Sequence, residues 1–236
     1  MSIYILLFIG VAILSFAVSR RLKNKFKKYS QIRWNADLTG REIAEQMLRD
    51  NGIHDVTVTS VPGRLTDHYN PANKTVNLSE EVYHGRSAAA AAVAAHECGH
   101  AVQHATAYSF LEFRSAMVPV QNVSARLLNF VVLFLFLGSG FLYGSGGGFF
   151  SMQTALLIII ACYAVITLFS LVTLPVEFDA SKRALAWIQS RNIASPDEYG
   201  MAKDALKWAA MTYLVAALGS IVGLLYWISI YMGGRD

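Results

Sequence analysis

Four long apolar segments most strongly limit what this chain can fold into. Each holds about 17–25 residues, the length that an α-helix needs to cross a bilayer core at about 1.5 Å rise per residue. None of the four contains Asp, Glu, Lys or Arg; they are residues 3–19, 127–143, 154–174 and 208–232. The sequence therefore predicts a mainly α-helical integral membrane protein with about four transmembrane helices.

The positions of the basic residues predict the orientation of these helices. Six Lys and Arg residues directly follow the first apolar segment. The chain has 20 Lys and Arg residues, and all of them except Arg235 lie in segments 20–126 and 175–207. Because basic residues collect on the cytoplasmic side, both segments are expected in the cytoplasm, with residues 144–153 and the C-terminus outside. A cleavable signal peptide carries its charge before the apolar core, so the first segment is interpreted as a retained anchor. The net charge of +4 therefore needs no nucleic-acid partner.

The cytoplasmic segments predict a small α+β lobe. Thr39-Gly-Arg-Glu42 has the form of a capping box, and Asn51-Gly52 is expected to end the helix that it starts. Ser87 is expected to cap an alanine-rich helix that reaches about residue 107. Short alternating runs predict a small antiparallel sheet from residues 56–61, 65–69 and 75–78. No repeat or low-complexity linker separates these parts, so a single domain over residues 1–236 is expected.

The motif His96-Glu97-Cys98-Gly99-His100 in the alanine-rich helix predicts a metal site. At about 100° per residue, histidines four positions apart lie about 40° apart on one helix face, so both can bind one metal ion. Glu97 lies beside them, where it can act on a metal-bound water. Cys98 points about 200° away from His96 and is expected to pack behind the helix. This spacing is typical of zinc peptidases, with Zn²⁺ as cofactor and Glu97 as catalytic base.

A catalytic zinc site normally takes a third protein ligand and keeps one position open. His104 lies about 12 Å along the helix from the first histidine of the motif, too far to share its metal. Glu177 and Asp179 follow the third apolar segment, on the same predicted side of the membrane as the motif. In a helix that begins at Glu177, Ser181 shares the face of Glu177 and Asp179 projects away. Glu177 is therefore favoured as the third ligand, with Asp179 as the alternative.

Three motifs carry a family resemblance: Asp67-His-Tyr-Asn-Pro71, Leu78–Ser87 leading into His96–His100, and Pro175–Ser181. With these, the chain resembles the YugP-like neutral zinc metallopeptidases of bacterial membranes and, more distantly, the HtpX-type and CAAX-type zinc peptidases. The resemblance covers essentially the whole chain. It implies a zincin-like lobe, peptide or protein substrates and an active site on the cytoplasmic face of the bacterial cytoplasmic membrane. In the HtpX-type pattern a Glu-x-x-Ala-Asp helix supplies the third ligand, which corresponds to Glu177 here, with Ser181 in the place of the related Asp.

The implied reaction is hydrolysis of a peptide bond. Zinc held by the two histidines and Glu177 would polarise the scissile carbonyl and activate its bound water, while Glu97 takes the proton and delivers it to the leaving amine. A peptide could add as an extended strand along Thr75–Ser79. Arg183 is one candidate for stabilising the oxyanion.

Two other classes of function share features with this sequence. A protease that cuts inside the membrane needs an acidic ligand in a later span, and none of the four apolar segments contains Asp or Glu. A membrane scaffold or metal-binding adaptor could retain the same frame without catalysis. Glu97 argues against this alternative, because a structural zinc site needs no general base and usually closes its fourth position.

Overall fold

The computed structural model describes residues 2–142 and 151–233, so most of the predicted outer loop lies outside the described residues. The helices in chain order are α1 (Ser2–Tyr29), α2 (Gly40–Asp50), α3 (Glu80–Tyr83), α4 (Ala88–Ala105), α5 (Ser109–Leu142), α6 (Met152–Ser190) and α7 (Pro196–Gly233). The strands are β1 (Thr57–Val61), β2 (His68–Asn70) and β3 (Thr75–Ser79). The protein is therefore mainly α-helical, as the sequence predicts.

Four helices, α1, α5, α6 and α7, are long and apolar enough to cross a membrane in the part of the chain that the structure describes. They correspond to the four predicted spans. Large apolar side chains on α1 and α5 are exposed, including Ile3, Leu6, Phe16 and Phe130. Such surfaces are normal for helices that lipid covers, and costly for helices in water.

All four of these helices extend beyond their apolar segments on at least one side. The basic stretch after residue 19 forms the last third of α1, and residues 112–126 continue into the second apolar segment within α5. The expectation that a new helix begins at Glu177 is wrong, because α6 continues without a break through Pro175. A proline removes one backbone hydrogen bond, and the flanking turns can keep such a helix intact.

By its internal contacts the chain divides into two compact units. The first comprises Met1–Ser15, Phe113–Thr173 and Leu214–Asp236, which include most of the apolar segments. The second comprises Phe16–Glu112 and Leu174–Tyr213, and it contains the H-E-x-x-H motif together with Glu177. All candidate ligands therefore belong to one unit.

The sheet of the second unit is mixed, which corrects the expectation of an antiparallel sheet. Strand β3 lies in the centre, parallel to β1 and antiparallel to β2. Residues 71–74 join β2 to β3 as a hairpin. The connection after β1 is not a hairpin, because it leads to Asp67, whose carboxylate accepts hydrogen bonds from the backbone N–H and hydroxyl of Ser79 at the end of β3. This contact helps to place β2 on the far side of β3 from β1.

Helix α4 forms the centre of the second unit and packs against α2, α3 and the sheet. Its N-terminal half consists of buried alanines, and the small side chains let neighbouring elements approach closely. The predicted caps are present: Thr39 and Glu42 form a complete capping box for α2, and the hydroxyl of Ser87 accepts a hydrogen bond from the backbone of Ala90. This packed core fixes the position of the motif histidines.

Candidate metal centre

Three of the predicted residues converge at one point between α4 and α6. The carboxylate Oε2 of Glu177 lies 3.3 Å from Nε2 of His96 and 3.6 Å from Nε2 of His100. The three ligand atoms all lie within 4.8 Å of one another, and among the described residues this is the group of His, Cys, Asp and Glu side chains that could hold a metal ion. Glu177 is 3% exposed and comes from a helix 77 positions further along the chain than His100. Asp179 and His104 do not belong to the group.

The donor set and its spacing fit zinc. Two imidazole nitrogens and one carboxylate oxygen are the ligands of a catalytic zinc site with an open fourth position. Ligand atoms about 2.0–2.1 Å from a tetrahedral zinc lie about 3.3–3.4 Å from each other. The separations of 3.3 and 3.6 Å between Glu177 and the two histidines agree with this geometry. The residues present can therefore hold Zn²⁺ with little rearrangement.

Gly99 allows the two ligand-bearing helices to approach each other. A Cβ atom at this position would lie 2.5 Å from the backbone oxygen of Ala180 on α6. Any side chain here would force the helices apart, since real Cβ atoms do not approach a backbone oxygen so closely. The glycine within the motif thus has a structural reason that the sequence analysis did not identify. A glycine inside a helix costs about 1 kcal/mol relative to alanine, so its presence in the middle of α4 could have indicated a close contact with another helix.

The other ring nitrogen of each histidine contacts a hydrogen-bond acceptor. Nδ1 of His96 lies 3.2 Å from the hydroxyl oxygen of Ser181, and Nδ1 of His100 lies 3.0 Å from Oε1 of Gln103. A proton on Nδ1 leaves Nε2 free to bind metal, and such outer contacts fix the orientation of metal-binding histidines. Ser181 stands where the related pattern has an Asp, and its hydroxyl contacts His96 at this position.

Gln103 joins the two helices and was missed by the sequence analysis. Its side chain is fully buried, and its amide nitrogen donates to the backbone oxygen of Val176 at 2.8 Å and to the carboxylate of Asp179 at 2.9 Å. Its amide oxygen contacts His100, so both N–H donors and the oxygen acceptor of the amide have partners. Asp179 thus lies against α4 rather than projecting away from the site. It also accepts a 2.6 Å hydrogen bond from Arg183, so this arginine is already paired.

Glu97 is buried beside the ligand group and is held by the sheet. Its Oε2 accepts a 3.0 Å hydrogen bond from the backbone N–H of Tyr69 on β2. Burial raises the pKa of Glu97, while the neighbouring His96 and His100 act in the opposite direction. A carboxylate with a raised pKa is suited to take up a proton and release it again.

The charges within the site are strongly coupled. Burial alone would lower the pKa of His100, but the contact with Glu177 and its negative charge outweigh this effect and raise the pKa. Burial also raises the pKa of Asp67, although the hydrogen bonds that it accepts from Ser79 act to lower it. Buried acidic groups therefore surround the motif, and their negative charge favours the binding of a divalent cation.

Two residues near the motif have roles outside the ligand group. Nδ1 of His104 lies 2.7 Å from the hydroxyl of Tyr69, consistent with its exclusion as a ligand by helix geometry. Cys98 is fully buried behind α4, where its thiol lies 3.5 Å from the backbone oxygen of Ala44. Burial raises the pKa of this thiol well above its usual range, so it remains protonated and unreactive.

The expectation that a peptide adds along Thr75–Ser79 is wrong. This strand is β3, and both of its edges are already paired, with β1 on one side and β2 on the other. The alternating pattern of residues 75–78 predicts a strand correctly but carries no information on its neighbours. The strand edge that reaches the motif belongs to β2, through the N–H of Tyr69.

The four apolar helices indicate an integral membrane protein, and its cluster of two histidines and one glutamate could hold a metal ion. The family described as "Putative neutral zinc metallopeptidase" matches residues 4–232, and the chain belongs to this family. It is similar to the "Putative membrane protease YugP" of Bacillus subtilis (strain 168), with 40% identity over 234 residues that cover 99% of each chain. No solved structure matches the chain.

Proposed function

We propose that this protein is a zinc-dependent, membrane-bound endopeptidase whose active site faces the cytoplasm. One observation supports this function most directly. His96, His100 and Glu177 bring three zinc-ligand atoms within 4.8 Å of one another, with Glu97 buried alongside. A purely structural zinc site would use a fourth protein ligand and would have no need of Glu97.

The proposed mechanism assigns a distinct task to each residue of the site. Bound Zn²⁺ supplies Lewis acidity, which polarises a carbonyl and makes water more acidic. Glu97 acts as the general base: it accepts a proton from the attacking water and then donates it to the amine that leaves. The backbone N–H of Tyr69 holds one oxygen of Glu97, so that the other oxygen is oriented for proton transfer. Ser181 and Gln103 keep Nε2 of each histidine directed at the metal.

The proposed cytoplasmic location is supported by the charge distribution. Glu177 lies three residues beyond the apolar segment 154–174, and the motif lies within segment 20–126. Both belong to the parts of the chain that contain all the Lys and Arg residues except Arg235. The expected substrates are therefore peptide segments at or near the cytoplasmic surface of the membrane.

Reconstitution with metal tests the proposal. The full-length protein is purified in detergent, stripped with a chelator and incubated with an unstructured protein substrate, with and without added Zn²⁺. Cleavage should be absent after chelation and should return with zinc in the wild type, but not in His96→Ala. Zinc binding without cleavage of any unstructured or membrane-proximal substrate would refute the proposal and favour the non-catalytic scaffold.

A further inference from the structure

A groove of about 400 Å³ lies between α6 and α7 within the second unit. Its surface is mainly apolar and includes Phe178, Leu185 and Leu206. Phe178 is 46% exposed, although aromatic side chains of this size are usually covered. Ser181, whose hydroxyl contacts His96, is also a lining residue, so the groove and the metal centre share one residue.

Three lysines line the same groove. Lys182 comes from α6, while Lys203 and Lys207 come from α7, four residues apart and therefore on one face. All three are exposed, and within the described part of the chain no carboxylate lies within salt-bridge distance of any of them. By contrast, Arg183 on α6 and Arg191 just after its end are each paired with an aspartate. The groove thus combines an apolar floor with unneutralised positive charge.

The position of the lysines along the chain places them next to apolar segments. Lys207 directly precedes segment 208–232, and Lys182 lies eight residues, or about 12 Å of helix, beyond segment 154–174. Lipid headgroups extend about 5–8 Å beyond the hydrocarbon core on each side. Lys207 lies at this level, and the long side chain of Lys182 can reach back towards it, because side chains lean towards the N-terminus of their helix. A ligand that combines a negative charge with an apolar chain fits both features of the groove.

We propose that this groove binds an anionic phospholipid. The phosphate is held by Lys182, Lys203 and Lys207, and an acyl chain covers Phe178, which lies only four residues beyond segment 154–174. Basic pockets between helices near the membrane surface bind anionic headgroups in this way. A soluble phosphate ion would use the lysines but leave the apolar floor uncovered, so lipid is the occupant that uses the whole groove. This proposal does not depend on whether the protein cleaves peptides.

Native mass spectrometry of the full-length protein in detergent tests the proposal. Phosphatidylglycerol and phosphatidylcholine are titrated separately, and inorganic phosphate is added in a parallel series. Phosphatidylglycerol should bind at least about tenfold more tightly than phosphatidylcholine, and phosphate should not compete at similar concentration. Each lysine near an anionic headgroup contributes about fivefold to affinity, so the triple replacement of Lys182, Lys203 and Lys207 by Ala should weaken binding by on the order of 10²-fold.

Two further variants separate a groove from general surface charge. Ala186→Trp places a large side chain at an exposed lining position without changing the charge, and it should also abolish selective binding. The matched control replaces Lys23, Lys27 and Lys28, exposed lysines of α1 that do not line the groove, and should leave binding unchanged. Zinc content and elution volume identify variants that have misfolded. Equal loss in the control, full binding in Ala186→Trp, or displacement by inorganic phosphate would each overturn the proposal.

Discussion

Replacing Gln103 by Leu removes the amide that joins the two ligand-bearing helices, while nearly preserving the side-chain volume. Gln103 is fully buried and contacts His100, the backbone oxygen of Val176 and the carboxylate of Asp179. In the variant, Asp179 still has Arg183 as a partner. The ring N–H of His100 and the backbone oxygen of Val176 would lose the partner that Gln103 provides.

The expected cost comes mainly from His100, because the backbone oxygen of Val176 still accepts the intrahelical hydrogen bond of α6. A buried polar group that loses its partner costs about 1–3 kcal/mol, so the variant should lose about that much unfolding free energy. His100 would also lose the contact that keeps Nε2 directed at the metal. Loss of such an outer contact typically weakens metal binding by about 10–100-fold. Gln103→Leu should therefore be less stable and should bind zinc less tightly, although it removes no ligand.

Gln103→Glu separates these two effects. A glutamate retains an acceptor for His100 but can no longer donate to Val176, and it places a second negative charge beside Asp179. Its zinc affinity should fall less than that of Gln103→Leu, whereas its stability should fall at least as much. Competition with a chromogenic chelator gives the zinc affinity, and thermal unfolding in detergent gives the stability. Wild-type zinc affinity in a folded Gln103→Leu protein would show that Gln103 does not orient His100.

Three further predictions test the metal centre and its location. Glu177→Ala should release zinc under mild chelation, whereas Asp179→Ala should retain about one zinc per chain by metal analysis; the reverse result would transfer the ligand role to Asp179. Gly99→Ala should push α4 away from α6 and lower the unfolding free energy by about 1–3 kcal/mol, so an unchanged Tm would contradict the close packing observed here. Reporter fusions near Arg64 and Arg191 should both report the cytoplasm, and opposite sides would be incompatible with a single metal centre.

The sequence predicts which side chains meet at the candidate metal centre better than it predicts the sheet. Helical periodicity places His96 and His100 on one face, and the distribution of basic residues predicts that Glu177 lies on the same side of the membrane. The observed convergence of the three side chains agrees with both inferences, which rely on the regular repeat of a helix and on local composition. The order of the three strands could not be obtained in this way, because it depends on which long-range contacts form, such as the one between Asp67 and Ser79.

The residues that support the metal centre were missed for a related reason. Gln103 contacts groups 73 and 76 positions away, so nothing in its local sequence distinguishes it from a surface glutamine at the end of a helix. Helix geometry places Ser181 on the face of Glu177, but it does not indicate the contact with His96. Asp179 lies about 200° from Glu177 in the continuous helix as well, and its contact with α4 arises because the buried amide of Gln103 reaches its carboxylate. Contacts between distant helices require the folded structure.

The most direct test of catalysis by this metal centre is a paired measurement on Glu97→Gln. The substitution preserves size and leaves all three ligands in place, but the amide cannot accept the proton of the attacking water. Glu80→Gln, an exposed residue in the first turn of α3, serves as the matched control. Glu97→Gln should retain about one zinc per chain and lower the rate of peptide hydrolysis by on the order of 10²–10⁴, while the control cleaves normally. Hydrolysis at the wild-type rate by a zinc-loaded Glu97→Gln protein would contradict the assignment of Glu97 as the general base.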